Sequence, residues 1–206
     1  MERRSQRPGY AVPGDIWIGA DVVERRTRPF TYADYCALDD DTRHEVVDGE
    51  LLVSPSPNER HQRFTGRLFT RLSVHVEEHG AGRVYVAPFD VILSETNVVQ
   101  PDVLFVAQAQ VAEVIQERGV FGAPDLVVEV LSPSTEARDR QGKLVAYQRA
   151  GVAEHWLVAG GDAPSIEVRR RKRGRLVLVE TLGPGDVLTT PLLPGLRLDL
   201  AKLFAP

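Results

Sequence analysis

The 206-residue chain has a single cysteine, Cys36, so no disulfide can form within it. A lone cysteine in a protein of this size fits a reducing compartment. Its setting, Tyr-Cys-Ala-Leu, reads as packing and not as the surroundings of a nucleophile. No stretch approaches the roughly 18 apolar residues of a membrane helix. The opening Met-Glu-Arg-Arg-Ser-Gln-Arg-Pro lacks the apolar run of a secretory signal. A cytoplasmic protein with no membrane partner is therefore expected. Positive charge is not in excess either. The formal net charge is −4, whereas domains that bind nucleic acid through bulk charge are usually basic. Any such function has to come from a local site. The histidines and the cysteine show no zinc-ligand spacing, which argues against a His-based zinc centre.

What is present is an ordinary globular composition, long enough for one domain with a sizeable core. Residues 1–28 are rich in Arg, Pro and Gly and read as a loosely ordered N-terminal arm; residues 29–206 read as a single domain. Thr31 is a candidate N-cap for a short helix through Ala37, with Asp34 completing a capping box. His44 to Val53 reads as a β-hairpin turning at Asp48-Gly49, and Ser54-Pro-Ser-Pro breaks its second strand. Phe64, Leu68, Leu72 and Val76 recur every four residues, predicting a helix from about Asn58 to His79, capped by Gly80. Strands follow at Arg83–Ala87, Phe89–Leu93 and Asp102–Val106, with Pro88 at a bend, and then a short helix over Val111–Glu117. The nearly continuous apolar run Asp125–Leu131 reads as a central strand covered on both faces. A helix ending at Ala150 and a strand His155–Val158 come next. The remainder is β-rich: a hairpin of Ile166–Arg171 with Arg175–Glu180, short strands near Val187 and Leu196, and a helical turn near Ala201. The fold class is thus α/β, a mixed central sheet flanked by helices, with a β-rich C-terminal extension in the same domain.

The informative residue is Glu129, an acid flanked by Leu126, Val127, Val128, Val130 and Leu131. A carboxylate in a central strand is costly to bury unless paired or bound to a cation. Asp102 opens the preceding strand. If the two strands are neighbours, both acids reach one point and offer the hard oxygen ligands that Mg²⁺ takes.

This pairing resembles the PD-(D/E)XK nuclease superfamily, with Pro101-Asp102 as the first half and Glu129 as the second acid. The usual lysine two residues on is absent, since position 131 is Leu. The nearest downstream candidate is Lys143, fourteen positions after Glu129. Asp139, Lys143 and Tyr147 share one helix face at spacings of four. A narrower likeness lies in His44-Glu-Val-Val-Asp-Gly-Glu-Leu, Ser-Pro-Ser-Pro, His61, Gln-Pro-Asp-Val, Leu-Val-Val-Glu-Val-Leu-Ser-Pro-Ser-Thr, and Lys143…Tyr147…Ala-Gly-Val-Ala-Glu-His-Trp. Over roughly residues 30–203 the chain resembles the Uma-two family of restriction-endonuclease-like proteins.

The resemblance implies a restriction-endonuclease-like core and phosphodiester cleavage dependent on Mg²⁺ or Mn²⁺, with DNA the foremost substrate: an endodeoxyribonuclease. It maps the family's displaced lysine onto Lys143 and its early glutamate onto Glu45. Asp102, Glu129, Lys143 and Glu45 are then the catalytic set. Asp102, Glu129, Glu45 and the backbone carbonyl of Val130 are the expected metal ligands. His61, Gln100, Asp139 and Tyr147 are candidates for supporting these groups or holding phosphate. Cutting both strands of a duplex needs two sites, so a homodimer is plausible.

Simpler readings stand beside these. Glu129 and Lys143 could form a structural ion pair, Asp102 a turn, and Glu45 a surface hairpin residue. His155 beside Trp156 reads as packing. Arg169–Arg175 carries six positive charges in seven residues, and guarding a hairpin edge is a simpler role for it than phosphate binding. Two other functions compete: a nucleic-acid-binding module of the same fold with weak or no catalysis, and a metal-dependent hydrolase of another phosphoester.

Overall fold

The computed structural model describes residues 16–18, 21–24, 28–40, 42–54, 56–132, 136 and 138–206. Most of the expected N-terminal arm lies outside the described residues. Within it, β1 (Ile16–Ile18) and β2 (Asp21–Glu24) are strands that pair with each other. α1 (Tyr32–Cys36) starts at Thr31, which accepts from the Asp34 backbone while Asp34 returns the bond in a full capping box. β3 (His44–Val47) and β4 (Glu50–Val53) form the expected hairpin. Its turn needs positive φ at both central residues, and Asp48 and Gly49 adopt 48° and 79°. A β-carbon on Gly49 would lie 2.5 Å from Pro29 Cβ, so the turn also needs glycine for space.

α2 (Glu59–His79) is capped by Asn58 and ends at Gly80 in the left-handed conformation. It buries Phe64, Leu68, Leu72 and Val76, and each such side chain stabilises the fold by about 1.5–3 kcal/mol. β5 (Gly82–Val86) and β6 (Val91–Ser94) flank Pro88 and belong to different sheets, so the bend there is where the chain changes sheet. β7 (Asn97–Val99) has no counterpart among the expected strands; three residues are too few to show an alternating pattern. After β8 (Val103–Ala107), α3 covers Gln108–Val114, earlier than expected, because Val111 and Val114 turn inward and Ile115 already enters a strand. β9 (Ile115–Gln116), β10 (Gly119–Phe121) and β11 (Leu126–Val130) follow. Every residue of β11 is buried.

The expected helix ending at Ala150 divides in two: a π-helical stretch, Arg138–Lys143, runs into α4 (Leu144–Ala150). β12 (Glu154–Ala159) returns parallel to β11, and the hairpin β13 (Ser165–Lys172) and β14 (Arg175–Leu182) extends the same sheet. β15 (Val187–Leu188), β16 (Leu198–Asp199) and α5 (Leu200–Phe204) close the chain.

The architecture is mixed α/β, with two large sheets where one central sheet was expected. The first runs β1-β2-β4-β3-β7-β6-β10-β9 and the second β14-β13-β12-β11-β8-β5. Each mixes one parallel pair with antiparallel ones. In β11, Leu126, Val128 and Val130 join the core under α2 and the C-terminal elements. Val127 faces the other core, with Leu104, Tyr147 and Val152. Because strand residues alternate, Glu129 projects with Val127 toward α4, and Asp102, in phase with Leu104, projects to the same side.

Candidate active site

Six of the eight expected side chains, those of Glu45, Asp102, Glu129, Asp139, Lys143 and Tyr147, cluster where β3, β8, β11 and α4 meet, and all six are buried. The neighbouring strands that Asp102 requires are present: β8 and β11 pair antiparallel, with Val103 opposite Val128. Beyond that last pair, the Asp102 carboxylate takes over the ladder, its Oδ2 accepting the Val130 N–H at 2.7 Å. An N–H and C=O of one strand residue leave by the same edge, so the Val130 carbonyl also emerges beside Asp102.

Lys143 does reach back to the strand. Its ammonium lies 2.9 Å from Glu45 Oε1, 3.2 Å from Glu129 Oε1 and 3.4 Å from Asp139 Oδ1. The π-helical stretch makes this possible. A β-carbon on Gly142 would lie 3.5 Å from Val47 Cγ1, so the turn's backbone rests against the strand that carries Glu45. π-Turns recur at functional sites. Glu45 is fixed from both ends: Oε1 accepts the Gln100 N–H at 2.7 Å and Oε2 the Ser54 hydroxyl at 3.1 Å. Tyr147 donates to Glu129 Oε1 at 2.5 Å, while Glu129 Oε2 is held more loosely, 3.4 Å from Lys143.

His61 comes to the site from the first turn of α2. Its Nε2 donates to Asp102 Oδ2 at 3.1 Å, and its Nδ1 lies 3.4 Å from the Thr65 hydroxyl. Gln100 enters only through its backbone. Its side chain turns away to Asp90, Tyr35 and Arg43. Sequence reasoning missed Ser54, Asp90, Tyr35 and Arg43. Ser54 reads in sequence only as a strand breaker, and nothing local shows where its hydroxyl points. His155 is fully buried against Tyr147, ring centroids 5.3 Å apart. Burial, followed by the nearby Arg169 and Lys143 charges, pushes its pKa down to about 3, so it stays neutral.

The electrostatics are set by burial and by the crowding of several acids around the Lys143 ammonium. Burial pushes Glu129 up to about 8; Lys143 opposes the shift, and Asp139, Asp102 and Glu45 add to it. Burial and the Glu129 charge raise the Tyr147 phenol well above its ordinary value, so it remains a donor. Glu154 makes a useful contrast. It is as deeply buried, but Trp156 Nε1, the Thr190 hydroxyl and Arg170 Nε donate to it at 2.7, 2.9 and 3.1 Å. That acid is a brace between β12, β13 and the C-terminal segment.

Among the described residues, no three His, Cys, Asp or Glu side chains converge at metal-ligand spacing. The groups that could hold a metal are the Asp102 and Glu129 carboxylates with the Val130 carbonyl, which is a backbone atom. They fit a hard divalent cation in kind, being all oxygen.

The chain shares 29% identity over 129 residues with "Uncharacterized protein slr1290" of Synechocystis sp., a match that spans 61% of this chain and 65% of that relative's length. The fold matches a crystal structure described as a putative nuclease belonging to DUF820, from Anabaena variabilis. The TM-score is 0.71 at 18% identity, covering 86% of this chain and 98% of that one. The family model Uma2, described as "Putative restriction endonuclease", matches residues 31–201, from the N-cap of α1 into α5, and so takes in every site residue above. The chain therefore belongs to the Uma2 family.

Proposed function

We propose that this chain is an endonuclease that hydrolyses nucleic-acid phosphodiester bonds, DNA foremost, with Mg²⁺ or Mn²⁺ held by Asp102, Glu129 and the Val130 carbonyl. The observation that carries this reading is the buried Lys143 ammonium beside Glu129, on the side of the sheet to which Asp102 also projects. A bound divalent ion supplies Lewis acidity at a phosphoryl oxygen and lowers the pKa of its water.

The protein's own groups do the rest. Asp102 is oriented by two donors that converge on Oδ2. Tyr147 fixes Oε1 of Glu129, which favours the more loosely held Oε2 as the ligand atom. Lys143 lies closer to Glu45 than to Glu129 or Asp139. Glu45 and Asp139 would therefore hold the ammonium were Glu129 to serve as a metal ligand, and we assign Glu45 to positioning Lys143. The ammonium orients the attacking water or stabilises charge on the pentavalent phosphate. Cutting both strands calls for two such sites, as in a homodimer.

A catalytically weak nucleic-acid-binding module is the second reading. It is favoured by the lack of three side-chain ligands at metal spacing among the described residues. One experiment separates the two. Supercoiled plasmid, single-stranded DNA and RNA are incubated with protein in Mg²⁺, Mn²⁺ or EDTA, with Glu129→Ala and Lys143→Ala in parallel. Metal-dependent cutting lost in both variants supports the nuclease as drawn. Cutting lost only in Glu129→Ala removes Lys143 from catalysis. No cutting, with binding that survives Glu129→Ala and no Mn²⁺ uptake by calorimetry, establishes the binding module.

A further inference from the structure

The net charge is −4, yet one face of the molecule is strongly basic. Arg60, Arg63, Arg67 and Arg71 recur along α2 at spacings of three and four, which places them on one ridge. Across from the ridge stand Arg197, just before β16, and Lys202 in α5. Arg67, Arg71, Arg197 and Lys202 line a cleft of about 190 Å³ whose single acid is Asp199. The cleft is braced from within: the Arg67 guanidinium donates to the Leu203 and Ala205 carbonyls at 2.9 and 2.5 Å, tying α2 to the end of the chain. Arg60, Arg71, Arg197 and Lys202 are exposed. The nearby acids are weak competitors, Glu59 lying 3.6 Å from Arg63 and Asp199 3.6 Å from Lys202, both pairs at the surface.

The Arg-rich hairpin tip differs. Three of its cations are committed internally: Arg169 to Glu167, Arg170 to Glu154 and Glu180, and Arg171 to the Gln148 carbonyl. This favours the edge-guarding reading for that segment.

We infer that the α2 ridge and its facing cleft form the track on which a nucleic-acid backbone lies as it leaves the site. This rests on reading the chain as a nuclease. The ridge starts one residue before His61, which touches Asp102, so the basic face begins at the turn of α2 that borders the site. From Arg60 to Arg71 the helix rises about 17 Å at 1.5 Å per residue, close to half the roughly 34–36 Å turn of a duplex. The exposed guanidinium groups of Arg60 and Arg71 near the ends of the ridge, with Arg197 and Lys202 across the cleft, are placed to meet phosphates, to which arginine binds in a bidentate manner.

The test is binding of a fluorescein-labelled 30-base-pair duplex, followed by anisotropy in EDTA, where no cutting occurs, across a salt series. The triple variant Arg71→Gln, Arg197→Gln and Lys202→Gln is compared with a hairpin variant of equal charge loss, Lys172→Gln, Arg173→Gln and Arg175→Gln. The ridge variant is expected to bind at least about tenfold more weakly at moderate salt, and its salt slope to fall by about 2.7, near 0.9 for each phosphate that the protein no longer neutralises. The hairpin variant should keep the wild-type slope. All six positions are exposed, so both variants should melt within about 2 °C of wild type. An unchanged slope in the ridge variant, an equal loss in the hairpin variant, or no duplex binding by wild type each overturns the proposal. Ridge-dependent binding by a wild type that cuts nothing keeps the track and removes the nuclease.

Discussion

Replacing Glu129 by glutamine tests whether burial among neighbouring acids makes this carboxyl costly to ionise. The folded-state pKa of Glu129 is about 8, against an ordinary 4.5, chiefly because it is buried. Between those values the folded protein binds a proton that the unfolded chain has lost, so stability falls as pH rises. The stabilisation is complete below about pH 4.5 and gone above about pH 8. A gap of about 3.5 units at 1.36 kcal/mol each gives a decline on the order of 5 kcal/mol, or roughly 10–20 °C in melting temperature for a chain of this size. Glutamine keeps the shape of the protonated acid and cannot ionise, so Glu129→Gln should flatten this part of the profile. Urea titrations at half-unit intervals from pH 5 to 9, in EDTA, measure it. With millimolar Mg²⁺, wild type should recover stability at high pH and Glu129→Gln should recover much less, because it keeps only one of the two proposed carboxylate ligands. Parallel profiles for the two proteins in EDTA would refute the charge argument. A wild type that gains nothing from Mg²⁺ would leave the raised pKa standing and remove the metal.

Three further outcomes are expected. Lys143→Met strands Glu45, Glu129 and Asp139 around an apolar chain and should lower unfolding free energy by about 3–5 kcal/mol; urea curves at pH 8 that superimpose on wild type would show that the ammonium is not part of the cluster. Glu154→Gln disturbs the brace formed by Trp156, Thr190 and Arg170 and should cost about 1–3 kcal/mol, while plasmid cutting per folded molecule stays at the wild-type rate; a selective loss of cutting would move Glu154 into the site. Gly49→Ala puts a β-carbon 2.5 Å from Pro29 Cβ at a φ of +79° and should destabilise by more than about 1 kcal/mol, read as a drop in the thermal midpoint; an unchanged midpoint would mean that the hairpin turn had re-formed without cost.

Much of the fold is local in origin and is therefore legible in the chain. The α1 capping box, the Asp48-Gly49 turn, the four-residue repeat of α2 and its Gly80 cap all depend on residues within a turn or two of each other. The buried acid of β11 is also visible, because a single Glu in an apolar run contradicts its surroundings. Lys143 and Glu45 stand out only through their resemblance to a family pattern, since nothing near either in sequence distinguishes it from a surface residue.

Tertiary structure decided the remainder. That β5 and β6 join different sheets depends on long-range pairing, which a short strand does not encode. The π-turn at Arg138–Lys143 follows from packing against β3, and it is this packing that carries Lys143 to Glu45. Ser54, Gln100 and Tyr147 hold the carboxylates through bonds between residues up to 55 positions apart. Glu154 and Glu129 are both acids in buried strands, yet one is braced by three donors and the other shares the Lys143 ammonium with Glu45 and Asp139. What separates them is which donors the folded chain brings to each, and that is a property of the assembled sheet and not of either strand's sequence.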